Sequence, residues 1–244
     1  RVPGEQREDM SENLKDKNNG RGILYGVSVG PGDPELMTLK ACRVIRESQV
    51  IALPNESLKD CVAYQIAVQA VPEIREKEIL CLPMPMTKDQ KVLEQCHREA
   101  ANRIRERLEE GKNVAFLTLG DATIYSTCLY VYEKVKAAGE KTEIVSGVPS
   151  FCAAAARLDT ALVSGAEELH ILPATYQIEK GMELDGVKVL MKAGKKVAKV
   201  KALLTEEGRN VQGVKCCGMP GEKIYRSAEE IDEDAGYYSL FIVS

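Results

Sequence analysis

Near the middle of the chain, residues 113–130 read NVAFLTLGDATIYSTCLY. Val114, Phe116, Leu117 and Leu119 form an apolar run between Gly111 and Gly120 that barely alternates. A run of that kind predicts a strand buried on both faces of a sheet. Strands covered on both faces belong to α/β architectures, with helices packed on each side. At Gly120-Asp121 the run stops in a patch of hydroxyls, Thr123, Tyr125, Ser126 and Thr127. A helical pattern through Leu129, Val131 and Val135 then continues to Ala138-Gly139. One strand thus delivers a glycine, a carboxylate and several hydroxyls beyond its carboxyl end, where open α/β sheets bind ligands. The same spacing equally suits a plain βα turn in which Asp121 caps the helix.

Strand and helix patterns alternate on the N-terminal side of this stretch. Strands are expected over 22–30, 50–53 and 79–82. Helices are expected from Asp33 as N-cap with Pro34 at N1, over 58–70, and over 88–110 with Thr87 or Asp89 as cap. The last carries Val92, Leu93, Cys96, Ala100, Ile104 and Leu108 on one stripe, with His97 on its polar, exposed side. Beyond the midpoint, strands are expected over 143–145, 168–172, 187–191, 210–216, 222–225 and 237–243. Helices are expected over 151–158 and 195–204. More strands and fewer helices predict a mixed sheet with antiparallel edges. The expected organisation is a polar, disordered leader over 1–20, an N-terminal α/β domain with a mainly parallel sheet over 21–120, and a C-terminal α/β domain with a mixed sheet over 121–244.

Composition excludes several classes. With 33 basic and 37 acidic residues the chain is formally −4, without the basic excess of a duplex nucleic-acid binder. No apolar run reaches membrane-spanning length, and the first twenty residues lack a signal-peptide core. Of the eight cysteines, Cys42, Cys61, Cys81, Cys96, Cys128 and Cys152 lie within strand and helix patterns, which predicts buried free thiols in a reducing, cytoplasmic setting. Cys216 and Cys217 lack C-x-x-C spacing and there are two histidines, so no protein-bound metal is expected.

Three loops carry candidate chemistry: residues 27–41 (VSVGPGDPELMTLKA), the midpoint GDATIYST, and 147–150 (GVPS) before a helix N-terminus. Gly30-Pro31-Gly32 lacks the third glycine of a dinucleotide fingerprint, and the next strand ends in Leu53-Pro54-Asn55 without an acidic residue for a ribose. No G-x-x-x-x-G-K-[ST] run is present. Asp121 could accept hydrogen bonds from a ligand or from local main-chain N–H groups. Main-chain polar atoms of 122–124 beside an apolar side chain suit a nucleoside.

Together GxGPGDPELMTLKA, LTLGDATIYST and SGVPSF resemble the signatures of the S-adenosylmethionine-dependent tetrapyrrole methylases of the cobalamin and sirohaem pathways, across residues 22–244. The stretch LTLGDATIYSTCLYVYEKV and the segment CLPMPMTKDQKVLEQ resemble the group that methylates C20 of precorrin-2 or cobalt-factor II. Ala122 stands where that group's pattern has proline.

The resemblance implies a two-domain tetrapyrrole methylase-like α/β fold, a homodimer, S-adenosylmethionine as cofactor, held in a cleft between the domains and leaving as S-adenosylhomocysteine, and a tetrapyrrole substrate. It implies cofactor-binding roles for Pro31, Gly32, Gly120, Asp121, Ile124, Ser126 and Thr127, and for Cys152, Ala174, Met191 and Met219 from the second domain. Methyl transfer to a ring carbon needs alignment and dryness rather than a side-chain nucleophile. No catalytic base is singled out among Tyr125, Asp121 and Glu35. A polycarboxylate substrate calls for local positive charge, for which Lys88, Lys192, Lys195, Lys196 and Lys199 are candidates, although a solvated helix face accounts for such lysines equally well. Methylation at another ring position, or tetrapyrrole or nucleotide binding without catalysis, are the competing readings.

Overall fold

The computed structural model describes residues 20–85, 87–174 and 178–244. The leader expected over 1–20 therefore lies, save for Gly20, outside the described residues. By contacts the chain divides into two compact units: the chain up to Gly30 with Pro34–Gly147, and Pro31–Asp33 with Val148–Ser244.

The first unit is built on β1 (Leu24–Ser28), β2 (Val50–Leu53), β3 (Glu78–Cys81), β4 (Val114–Thr118) and β5 (Thr142–Val145), in the order β3-β2-β4-β1-β5 with every pair parallel. Four helices make the crossovers: α1 (Leu39–Glu47), α2 (Val62–Ala70), α3 (Gln90–Glu109) and α4 (Cys128–Ala137). Right-handed crossovers that step in opposite directions along a sheet must cover opposite faces. The two core layers follow that rule. Val27, Ile51, Leu53, Ala115 and Leu117 pack on Ala41, Val44 and Ile45 of α1 and Ile66 and Ala67 of α2. Leu24, Val50, Ala52, Val114 and Phe116 pack on Ala100, Ile104 and Leu108 of α3 and Val131 and Val135 of α4. Strand β4 is buried along its whole length, as its continuous apolar run predicts. Fully buried Phe116, Ile104 and Leu108 each contribute about 1.5–3 kcal/mol of burial.

The second unit has β6 (Leu169–Pro173), β7 (Val187–Met191), β8 (Val211–Lys215), β9 (Lys223–Tyr225) and β10 (Ser239–Val243), in the order β6-β7-β10-β8-β9. The β6–β7 pair is parallel and the others antiparallel, so the sheet is mixed. Helix α5 (Ser150–Leu158) packs on β8 and β10. Helices α6 (Ile178–Met182) and α7 (Val197–Glu206) share a core with Leu190, Phe241 and Tyr225.

Three expectations differ from this picture. The joint expected between 120 and 121 falls between Gly147 and Val148, because α4 packs on the first sheet and β5 pairs with β1. Asp33 starts no α-helix: Pro34–Leu36 is one 3-10 turn, and α1 restarts at Thr38, whose extended backbone and Oγ1, accepting from Ala41 N at 3.1 Å, make the cap. Leu39, the first residue of α1, is 91% exposed. Helix α6, a single turn, has no periodic signature long enough to be read from sequence.

Candidate functional site

Strands β1 and β4 lie side by side, and their following crossovers leave in opposite directions, toward β2 and toward β5. The two crossovers lie on opposite faces of the sheet, so the loops after β1 and β4 leave the same end of the sheet toward opposite faces. At their carboxyl ends Gly30 and Gly120 tie the loops together. Gly30 N–H donates to the Gly120 carbonyl at 3.2 Å, and Gly120 N–H to the Gly30 carbonyl at 2.7 Å. Both residues sit at positive φ, +76° and +71°, which glycine adopts at little cost.

Asp121 follows at 8% exposure, and its carboxylate joins its own loop to the loop after β5. Oδ1 accepts from the Thr123 main-chain N–H at 2.8 Å and from the Thr123 hydroxyl, while Oδ2 accepts from Gly147 N–H at 2.8 Å. Burial alone would raise its pKa, but the Thr123 hydroxyl, the Gly147 N–H and the Thr123 N–H together outweigh burial and hold it below the ordinary carboxylate value. Asp121 thus takes main-chain donors, and it does not cap α4, whose N-cap position is Thr127. The neighbouring Ala122 N–H donates to the fully buried Ser28 hydroxyl at 2.8 Å. Proline at 122 has no N–H with which to make that bond.

The hydroxyl patch splits by direction. Ser126 Oγ turns inward, 2.8 Å from Thr118 Oγ1 and accepting from Cys128 N at 3.3 Å. Burial pushes the Cys128 thiol up to about 11, so it stays protonated at neutral pH. Ile124 is half-buried, whereas Tyr125 and Thr127 are exposed, and Tyr125 sits at φ +51°. Loop 147–150 contributes through backbone: a Cβ on Gly147 would lie 2.5 Å from Ser28 Cβ and 2.7 Å from the Gly120 carbonyl. Ser28 and Gly147 lie within the candidate loops 27–41 and 147–150, but the sequence assigned neither its supporting role. A hydroxyl at the end of an apolar strand run was the available signal.

Pro31 and Gly32, expected on a first-domain loop, group with the second unit. A Cβ on Gly32 would lie 2.1 Å from the Cys217 carbonyl and 2.8 Å from Met219 Cγ. Close approach of Cys217 and Met219 is what requires glycine there. Of the remaining second-unit candidates, Cys152 is exposed, Met191 half-buried at the end of β7, and Ala174 buried with its N–H donating to the Met191 carbonyl at 2.7 Å. Ala174 and Met191 therefore meet, while Gly32 and Met219 form a separate contact. Among the lysines, Lys199 pairs with Glu179 and Lys192 lies 5.8 Å from the Tyr237 ring centroid.

His97 is the clearest correction. Instead of facing solvent it is 7% exposed and stacks on Tyr130 of α4, with ring centroids 5.1 Å apart and planes 5° from parallel. Helices α3 and α4 pack along one another, and that contact covers the polar side of α3 at this turn. Burial, then Lys134, pull its pKa below the ordinary histidine value against Glu94, so the ring is neutral at pH 7. Its Nε2 is buried without a hydrogen-bond partner among the described residues, a state that costs about 1–3 kcal/mol. Among the described residues no group of three or more His, Cys, Asp or Glu is arranged to hold a metal ion, and no helix is long and apolar enough to cross a membrane.

Residues 23–232 match the family described as Tetrapyrrole (Corrin/Porphyrin) Methylases. The probable cobalt-precorrin-2 C(20)-methyltransferase of Methanocaldococcus jannaschii is 34% identical over 224 residues, covering 90% of this chain and 95% of that protein. The cobalt-precorrin-2 C(20)-methyltransferase of Salmonella typhimurium is 32% identical over 235 residues, covering 91% and 96%. The crystal structure of uroporphyrin-III C-methyltransferase from Thermus thermophilus complexed with S-adenyl homocysteine shares the fold at a TM-score of 0.67 and 21% identity, covering 91% and 97%. With the family match spanning residues 23–232 and relatives above 30% identity matched nearly end to end, this chain belongs to the tetrapyrrole (corrin/porphyrin) methylases.

Proposed function

We propose that this methyltransferase transfers the methyl group of S-adenosylmethionine to the C20 meso carbon of precorrin-2 or its cobalt-containing counterpart, cobalt-factor II. The observation that carries the ring position is that relatives bearing C(20) names match nearly end to end at 34% and 32% identity. Cobalt, where present, is part of the substrate.

The residues of the first unit fit the donor by their chemistry. Gly120, Asp121 and Ile124 set main-chain polar atoms beside a half-buried apolar side chain, and the Gly30–Gly120 bridge and the Asp121 carboxylate hold them rigid. In the proposal these residues, with Ser126 and Thr127, hold the ribose and methionine parts. Pro31, Gly32, Cys152, Ala174, Met191 and Met219 are proposed as the second unit's contribution, and a homodimer as the working form. When bound, the donor supplies an activated sulfonium methyl and its own leaving group. The chain's task is to orient donor and ring and exclude water, and pre-organised loops do this without reorganisation in the reaction. Asp121, engaged on both oxygens, serves as a loop support rather than as a base.

The test is incubation with isotopically labelled donor and either precorrin-2 or its cobalt-containing counterpart, followed by locating the label. Label at C20 is expected, and the accepted substrate identifies the metal state. Label at another carbon would refute the ring position but not the donor. Undetectable binding of both S-adenosylmethionine and S-adenosylhomocysteine would sink the enzyme reading.

A further inference from the structure

Strands β8 and β9 pair antiparallel with Lys215 opposite Lys223, so residues 216–222 (CCGMPGE) close a hairpin. This loop carries Met219, and its backbone is strained. Cys216 holds φ +51°, a left-handed conformation unfavourable for a residue with a Cβ, while Gly218 and Gly221 hold +70° and +84°. Such a shape persists only where its surroundings fix it. Residues 31–33 supply one side. Besides the close approach of Gly32 to Cys217, a Cβ on Gly218 would lie 2.7 Å from Asp33 N. Within the loop, Met219 N–H donates to the Cys216 carbonyl at 2.9 Å and Glu222 N–H to the Met219 carbonyl at 3.2 Å.

Glu222 adds a fastening from its side chain. Oε2 accepts from Gly218 N–H across the loop at 2.8 Å, and Oε1 accepts from Arg157 Nε of α5 at 2.6 Å. The Gly218 N–H first, then Arg157, hold the carboxyl below its ordinary value against the effect of burial, so it is ionised at neutral pH. The Arg157 side chain is 53% exposed, and such an ion pair contributes little by itself. The bond to Gly218 is charge-assisted and fixes the residue directly before Met219. Arg157 lies on the same helix as Cys152, so one carboxylate ties together two segments proposed for the donor.

We infer that Glu222 is a positioning residue for S-adenosylmethionine: by holding Gly218 and α5 it keeps the strained loop in the one shape that sets Met219 against the adenosine part of the donor. The inference rests on the proposed donor role of Met219 and assigns the residue that holds it in place. Glu222 acts through the loop and takes no part in methyl transfer.

The experiment compares the unaltered protein with Glu222→Ala and Glu222→Gln. With labelled donor and precorrin-2 or its cobalt-containing counterpart, Glu222→Ala raises KM for S-adenosylmethionine and the S-adenosylhomocysteine dissociation constant by on the order of tenfold, the loss of one charge-assisted hydrogen bond. KM for the tetrapyrrole and kcat stay within about twofold, a split that general loosening of the unit would not produce. Glu222→Gln keeps an oxygen for Gly218 N–H and recovers affinity to within about threefold of the unaltered protein. Unchanged donor affinity in Glu222→Ala, or equal losses for donor and tetrapyrrole, would overturn the inference. A second measurement needs no variant. In the unaltered protein, hydrogen exchange at the Gly218 amide should slow further when S-adenosylhomocysteine binds, and exchange indifferent to the bound ligand also overturns it. Failure of the donor reading shows separately, as absent S-adenosylhomocysteine binding by the unaltered protein, and it takes this inference with it.

Discussion

Asp121 shows how one residue can read as a ligand group in sequence and work as a fastener in the fold. Its acidic side chain after a strand-ending glycine was legible, and so was the alternative of local main-chain partners. In the fold its carboxylate takes main-chain donors, one of them the Gly147 N–H from a position 26 residues along the chain. Asp121→Asn keeps the size but sets an NH2 group against N–H donors, and should lower stability by about 1–3 kcal/mol at pH 7 in urea denaturation. The native carboxyl's pKa is below its unfolded value, so its contribution is complete above pH about 4 and fades as pH falls through the lower folded value. The gap between native protein and variant should therefore close on acidification below pH 4, and a pH-independent gap would refute this account. Ala122 teaches the same lesson. Standing where the resembled group's pattern has proline, it makes a hydrogen bond to Ser28 that proline lacks.

Among the elements, α3 combines a legible and an illegible half. Asp89 was a readable cap, and its Oδ1 accepts from Lys91 N at 2.9 Å and Val92 N at 3.3 Å. Ala100, Ile104 and Leu108 lie buried on the predicted stripe, but Val92 is 42% exposed and His97 has taken the buried place expected of the stripe's N-terminal half. The stripe records hydrophobic spacing, whereas the contact with α4 depends on how two helices cross, which their separate patterns do not encode. Asp89→Ala should cost about 1 kcal/mol. Because the first turns of α3 are largely exposed, hydrogen exchange should quicken over residues 91–97 and stay unchanged over 100–108. Uniform acceleration along the helix would show that the cap stabilises the whole element instead.

At the scale of the whole molecule, donor binding should register as stability. A ligand at 100 times its dissociation constant adds about 2.7 kcal/mol. For a chain of this length that corresponds to a Tm rise of roughly 5–10 °C with S-adenosylhomocysteine, measurable by thermal unfolding. No shift at saturating ligand would contradict the proposed donor site. The sequence by itself determined the α/β class, the parallel first sheet and mixed second one, most strands and helices, and the glycines at which the chain turns, because periodicity and backbone freedom are local properties. Only the tertiary structure decided that residues 31–33 pack with the second unit, that β5 closes the first sheet, that Asp121 fastens its loop to Gly147, and that His97 is buried beneath Tyr130. Each of these depends on which distant segment arrives beside a residue, and a local pattern specifies that a face is buried without specifying against what.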